Sequence, residues 1–368
     1  FYGYIAYKQE DYTLAESTLQ EIADKGSKSL EVTYFLLDIN FKAGKFERCI
    51  EIGEKLVNKA KRKQKSEISK IIGESYFNLE KYKEAISYLE AYSGKHGKLN
   101  NTDYYQLGYA YYKQENIEKA ISYFNKIIDQ KNNVSQNAYY NLAECYLRLD
   151  KKSEALNAFK SASEMDFNPQ IKEDALLNYA KLSYEEGNPY TSVAEILQDY
   201  LNSYPKSSHY NEINALVVTS FLHQQDYQGA LDYLAKKKTK ENSVFTQEVS
   251  LYRGMQLFQE DKFTEALPYF TIAKESLDME IELKAAYWKA ETFYLLENYK
   301  NAMNEFLAFE KRKNPLTKNI EEFQNIEYHL GYSAFKLKDY LDALGYFKQF
   351  LALNKEDHSL YEDAVARL

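Results

Sequence analysis

Apolar and polar residues alternate along this chain with the period of an α-helix, in stretches that come in pairs. Between Thr102 and Asp129, the residues Tyr104, Leu107, Gly108 and Tyr111 fall at i, i+3, i+4 and i+7, one face of a helix. Ala120, Phe124, Ile127 and Ile128 repeat the pattern in a second helix. Asn116 lies between the two, where a short polar side chain accepts a free backbone N–H at a helix start. Asp11, Asp226, Asn298 and Asp339 hold the same place elsewhere. The pattern predicts antiparallel helices joined by a tight turn.

The pairs recur. Ala15, Ala85, Ala120, Ala155, Ala230, Ala266, Ala302 and Ala343 each follow an aromatic-x-x pattern or a close variant, with Cys49 and Val193 in the same slot, at spacings of 34 to 41 residues. A small residue recurs twelve positions earlier, at Gly3, Gly73, Gly108, Ala143, Gly254, Ala290 and Gly331. Leu37 and Val218 depart from it, and Ala180 is displaced by one. Four positions after the alanine stands a large apolar residue such as Phe124, with Gly53 as the exception. Gly73, Ala85, Gly108, Ala120, Phe124, Ala143, Ala155, Gly254, Ala266, Ala302, Gly331 and Ala343 are therefore the structural signature. Gly108 is expected to face Ala120, letting the two backbones approach closely. A period near 34 with this order reads as an all-α array of about ten helix-turn-helix repeats. Approximate repeats are 1–29, 30–65, 66–100, 101–134, 135–172, 173–210, 211–246, 247–282, 283–323 and 324–357, with 358–368 starting a further helix. One such pair cannot bury its own apolar face, so a single solenoid over 1–368 is expected.

Composition narrows the function. Net charge is -8 and the pI about 5.4, so no global positive field attracts a phosphate backbone, and nucleic acid is not expected as a partner. The basic runs Lys59–Lys65, Lys236–Lys240 and Lys311–Lys313 read as solvated helix ends that offset the macrodipole. Cys49 and Cys145, almost three repeats apart, should not meet. No window approaches eighteen uninterrupted apolar residues, so no transmembrane segment is expected. The chain begins in mid-pattern and ends in the start of a helix, so both ends are expected to be cut from a longer array.

The order Tyr104, Leu107, Gly108, Tyr111, Ala120 and Phe124 resembles the tetratricopeptide pattern of an aromatic, Leu-Gly, Tyr, then Ala-x3-Phe. The resemblance runs over nearly the whole chain. It departs locally at Leu37, Cys49 and Gly53, at the extra residue near Asn188-Pro189, and over Arg312–Asn319. It implies a right-handed α-α superhelix whose first helices line a concave groove. Phrases such as Val134–Tyr146 and Asp174–Tyr184, with the Lys-, Asn-, Ile- and Tyr-rich composition, are similar to the long tetratricopeptide proteins of the Bacteroidota cell envelope. That likeness implies a periplasmic scaffold within an outer-membrane assembly or secretion machine, with a cytoplasmic setting as the alternative. The Lys and Asn clamp of tetratricopeptide cochaperones is missing: its slots read Lys70 with Glu74, Tyr105 with Tyr109, and Tyr140 with Glu144.

No catalytic or cofactor pattern stands out. The five histidines form neither H-E-x-x-H nor a zinc spacing with cysteine, and no Ser/His/Asp arrangement follows from spacing. Gly94–Lys98 reads as an inter-repeat turn, and Glu185-Glu186 and Glu321-Glu322 as polar faces or helix starts. No enzyme, cofactor or metal is expected. The 36 tyrosines are more informative. Counted from the small residue of each first helix, the slots that the family turns to its groove lie three before, one after, four after and five after it. The slot four after is aromatic in eight repeats and reads first as packing between repeats. Tyr105, Tyr109 and Tyr112 fall at i, i+4 and i+7, and with Tyr140, Tyr328 and Tyr332 they are the candidate partner contacts, since tyrosine offers a large amphipathic area with few rotors. Lys113, Glu144, Arg148, Lys181, Glu291 and Lys336 would form a polar rim. The expected function is a scaffold binding protein or peptide segments along this groove. The alternatives are an accessory subunit docking folded partners by its convex face or edges, and a glycan or peptidoglycan-associated protein.

Overall fold

Helix follows helix throughout the computed structural model, which describes residues 2–26, 29–236, 239–312, 323 and 325–368. Among the described residues there are 21 helices and no strand, only an isolated bridge between Lys95 and Lys98. The chain divides into two units, Phe1–Ser207 and Ser208–Leu368. The first holds six helix pairs: α1 (Tyr2–Lys8) and α2 (Tyr12–Asp24), α3 (Leu30–Lys42) and α4 (Phe46–Val57), α5 (Arg62–Asn78) and α6 (Tyr82–Ala91), α7 (Asn101–Lys113) and α8 (Ile117–Phe124), α9 (Asn133–Arg148) and α10 (Lys152–Ser163), α11 (Pro169–Glu186) and α12 (Val193–Ser203). The second holds four pairs and a last helix: α13 (Tyr210–His223) and α14 (Tyr227–Ala235), α15 (Lys240–Gln259) and α16 (Phe263–Ala273), α17 (Met279–Leu295) and α18 (Tyr299–Glu310), α19 (Ile326–Lys336) and α20 (Tyr340–Leu353), then α21 (Tyr361–Ala366). Parts of the basic runs at 236–240 and 311–313, most of the lengthened link at 312–319, and the acidic pair at 321–322 lie outside the described residues.

One turn joins the helices of nine of these pairs. The N-cap residue of each second helix sends its N–H back five residues into the first helix, as Asn116 does to Tyr111 O (3.0 Å) and Lys262 to Leu257 O (2.9 Å). This is the outer hydrogen bond of a Schellman motif, and it puts the residue before the N-cap in the left-handed region. That residue is Gly44 in one pair and Glu10, Glu80, Glu115, Asp150, Gln225, Asp261, Glu297 or Lys338 in the others. Between α11 and α12 the motif is replaced: Gly187 has φ +79°, and a loop follows before Val193. The expected caps are all formed, with Asp11, Asn116, Asp226, Asn298 and Asp339 each accepting a backbone N–H three residues on.

Packing inside a pair corrects one expectation. A Cβ built on Gly108 would lie 2.8 Å from Phe124 Cε1, so Gly108 makes room for the Phe124 ring, not for Ala120. Gly254 does the same for Phe270 and Gly331 for Phe347. Ala120, Ala266 and Ala302 are fully buried one turn earlier on the second helices. The second pair differs: Leu37 is fully buried at the small slot, 3.6 Å from a Cβ built on Gly53, whose closest approach is to Ile72 Cγ1 of α5 in the next pair, at 2.5 Å. Each fully buried Phe contributes on the order of 1.5–3 kcal/mol of burial.

Three smaller expectations also change. Helix α8 stops at Phe124, because the N–H groups of Lys126 and Ile127 bond three residues back (Ile127 to Phe124 O, 3.0 Å), and Ile127 is buried from a turn. In the run 59–65, Arg62, Lys63 and Lys65 open α5 instead of closing a helix, so the dipole there opposes them and solvent carries their charge. Glu185 and Glu186 end α11 and do not start a helix, but both are exposed, so water solvates them there. Cys49 and Cys145 are buried free thiols, which burial pushes up to about 11 and about 12.

Candidate partner-binding face

In the first unit, the helical period of α7 sets Tyr105, Tyr109 and Tyr112 on one face, with ring centroids 5.9 Å and 6.2 Å apart in sequence. Tyr105 is the base of this stripe. Its ring lies 5.9 Å from Phe124, its hydroxyl accepts from Asn141 Nδ2 (3.3 Å), and burial pushes its pKa up to about 12. Tyr109 is half-buried and sits between Phe77 and Tyr82 of the preceding pair, 5.8 Å from each. The Lys113 ammonium lies 5.3 Å from the centre of its ring. Tyr112 carries the Arg148 guanidinium 4.5 Å from its ring centre, and Arg148 also reaches Glu115 at 3.5 Å.

Helix α9 supplies the neighbouring polar groups. Burial raises the Glu144 pKa, and Arg148 opposes that shift. Tyr140 lies 5.6 Å from Phe159, and burial, then the nearby Glu144 and Asp174 carboxylates, push it up to about 12. Tyr105, Tyr109, Tyr112, Lys113, Tyr140, Glu144 and Arg148 thus occupy adjacent first helices of one unit.

Tyr328 and Tyr332 belong to the other unit, where they build a second cluster of the same kind. Their rings stack 6.2 Å apart at 24°, as those of Tyr105 and Tyr109 stack at 20°. Tyr328 is only 6% exposed; it packs 5.8 Å from Phe347 and donates its hydroxyl to Asp363. It is therefore a base residue like Tyr105 and offers no free face to a partner. Tyr332 sits between Tyr294 (5.6 Å) and Tyr299 (6.0 Å) of the preceding pair, with Lys336 5.4 Å above it. Arg367, the C-cap residue of α21, lies 4.7 Å from the same ring.

Several of these partners were not singled out by the spacing. Tyr82 and Tyr299 are visible only as the aromatic three positions before the alanine of their repeats, and Arg367 gives no signal. Phe77 and Tyr294 were visible as the aromatic slot of the preceding repeat, and they do pack between repeats. Among the described residues, no group of three or more His, Cys, Asp or Glu side chains is placed to hold a metal ion, and no helix is long and apolar enough to cross a membrane.

Stacked helix pairs with small residues against rings, and tyrosines on the first helices, define a class of helical-repeat protein. Residues 99–166 and 174–207 match models of the tetratricopeptide repeat, so α7–α10 and most of α11–α12 are repeats of that family. Comparison with curated proteins gives no match. Among solved structures, a crystal structure of MamA is similar, at 22% identity and a TM-score of 0.37, over 48% of this chain and 97% of that one. YrrB, described as a TPR protein with an unusual peptide-binding site, is similar at 19% identity and a TM-score of 0.42, over 56% of this chain and 97% of that one.

Proposed function

We propose that the two tyrosine–cation clusters are docking points for segments of other proteins, and that the chain is a non-enzymatic interaction scaffold. One observation carries the reading. The combination of Tyr three before, Tyr one after and Lys five after the small residue occurs at Tyr105/Tyr109/Lys113 and at Tyr328/Tyr332/Lys336, and in none of the seven other repeats whose three slots all fall within the sequence; the first repeat has Tyr4 and Lys8 in the last two slots. Those repeats pack without it, so packing does not require it. A half-buried ring with an ammonium over it and a guanidinium beside it offers area, donors and charge at one point, as binding hot spots do. We place the scaffold in a cell-envelope assembly on the likeness of its sequence to the Bacteroidota tetratricopeptide proteins.

Peptides selected from a random library on the intact chain test the reading. The double change Tyr109→Ala with Lys113→Ala should weaken peptides that protect the first cluster by about 30-fold, or ~2 kcal/mol. Tyr332→Ala with Lys336→Ala should do the same at the second, with far-UV circular dichroism unchanged. Selected peptides that bind both variants as tightly as the parent chain would overturn it and favour docking through the second helices or the edges.

A further inference from the structure

The link between α11 and α12, where the Schellman turn is lost, encloses a cleft of about 240 Å³ against α10. Leu156 and the buried Tyr179 form its floor, Lys160 stands on one wall, and Gly187 to Tyr190 form the other. The loop is held in place by one side chain. Asn188 Nδ2 donates to Tyr179 Oη (2.9 Å) and Ser183 Oγ (3.1 Å), and Asn188 Oδ1 accepts the N–H groups of Tyr190 (3.0 Å) and Thr191 (3.2 Å). At the rim Lys152 and Glu186 pair at 2.6 Å. With these groups engaged, Ser153 and Asn157 add neutral polar side chains to the lining, and two further groups stand out. The Lys160 ammonium has no partner among the described residues, and the C-cap Gly187 makes no hydrogen bond back into its helix. The Tyr190 ring stands 80% exposed at the mouth, on a loop fixed by its own backbone N–H.

We propose that this cleft is a binding site for a single carboxylate group, separate from the tyrosine clusters. An unpaired ammonium beside a backbone N–H that makes no bond back into its helix calls for an anion. One free cation matches one negative charge, whereas the second charge of a phosphate dianion would find no free cation, since Lys152 is already paired with Glu186. The volume lies below that of sites for drug-sized ligands, so one side chain or one chain end fits. Leu156, Pro189 and Tyr190 supply the apolar surface that methylene groups beside a carboxylate would cover.

Selective labelling of the 13 glycines with nitrogen-15 in the intact chain gives Gly187 as a direct reporter and Gly108 as a reporter of the first tyrosine cluster. Three blocked peptides are titrated: one with a central glutamate, its glutamine isostere, and one whose only carboxylate is its C-terminus. The Gly187 amide should shift saturably with the glutamate peptide, the terminal-carboxylate peptide, or both, and the arm that binds names the source. The glutamine peptide should leave it in place, and Gly108 should not move. Lys160→Met should weaken the binding at least tenfold, Lys160→Arg should restore it, and Tyr190→Ala, at an exposed position, should weaken it without touching the fold. A still Gly187 resonance, equal shifts with the glutamine isostere, or unchanged binding in both Lys160→Met and Tyr190→Ala would overturn the proposal. Movement of Gly108 alone would also overturn it, while leaving the tyrosine-cluster reading intact.

Discussion

Glycine and phenylalanine meet at fixed places in these helix pairs, and the distances between them rank the cost of a single methyl group. At Gly108 an added Cβ would lie 2.8 Å from the edge of the Phe124 ring, which can tilt away at a cost of roughly 1–3 kcal/mol. At Gly73 the added atom would lie 2.9 Å from the backbone N of Leu89 as well as from its side chain, and the backbone cannot rotate aside. At Gly345, exposed in α20, nothing lies within 4 Å, and alanine there gains helix propensity of about 0.5–1 kcal/mol. Urea unfolding should therefore order the three alanine variants with Gly73→Ala least stable, Gly108→Ala next, and Gly345→Ala more stable than the parent. If Gly73→Ala proved as mild as Gly345→Ala, the close approach of α5 and α6 would not exist in solution. Gly53 makes room in the other direction: its close neighbour is Ile72 of the following pair, so there the small residue serves the contact between pairs.

At the scale of the element, the helix starts were legible because Asp and Asn announce them, and Asp11, Asn116, Asp226, Asn298 and Asp339 cap as their chemistry demands. The helix ends were not, because the left-handed residue of each Schellman turn is mostly Glu or Asp, which carry no signal for that conformation. Buried amides were equally silent. Gln136 is fully buried, and its side chain ties Ala162, Met165 and Asn168 of the next turn to α9, with Nε2 donating to Met165 O at 2.7 Å and Oε1 accepting from Asn168 N at 2.7 Å. In sequence it looked like one more polar residue on a helix. The tyrosine slots could be counted from the repeat ruler, but the rings that flank Tyr109 come from the preceding pair, and only the angle between pairs brings them there. The turn itself is testable. Asp261 has φ +59°, where a side chain costs about 1–2 kcal/mol, partly offset for glycine by its larger loss of chain entropy. Asp261→Gly should raise stability by about 0.5–1 kcal/mol, whereas Gly44→Ala, at φ +72° with open space around it, should lower it by about 1–2 kcal/mol through backbone strain alone. Opposite signs in thermal melts of the two variants, with the larger shift in Gly44→Ala, check this; a loss of stability in Asp261→Gly would show that the aspartate side chain is needed there.

For the whole molecule, each unit holds one complete tyrosine–cation cluster drawn from its own helices, in a chain whose net charge is -8. Lys113 with Arg148, and Lys336 with Arg367, are thus local concentrations of positive charge against an acidic background, and each works without a residue from the other unit. How far a disturbance spreads within a unit follows from which elements touch. In the first unit α7 contacts α5, α6, α8 and α9, while α1 and α2 meet it nowhere among the principal helix contacts. Stability in such an array is a sum of repeat terms and nearest-neighbour terms, so a loss at one repeat is felt by its neighbours and fades beyond them. Hydrogen exchange of Gly108→Ala reads this directly. If the variant loses about 1–3 kcal/mol, amides of α7 and α8 should exchange about 5- to 150-fold faster where exchange follows local opening. Those of α5, α6 and α9 should respond less, and those of α1 and α2 should hardly change. Uniform acceleration from Tyr2 to Ser203 would mean that the six pairs open as one cooperative block, and the clusters could then not be altered one repeat at a time without unsettling the unit that carries them.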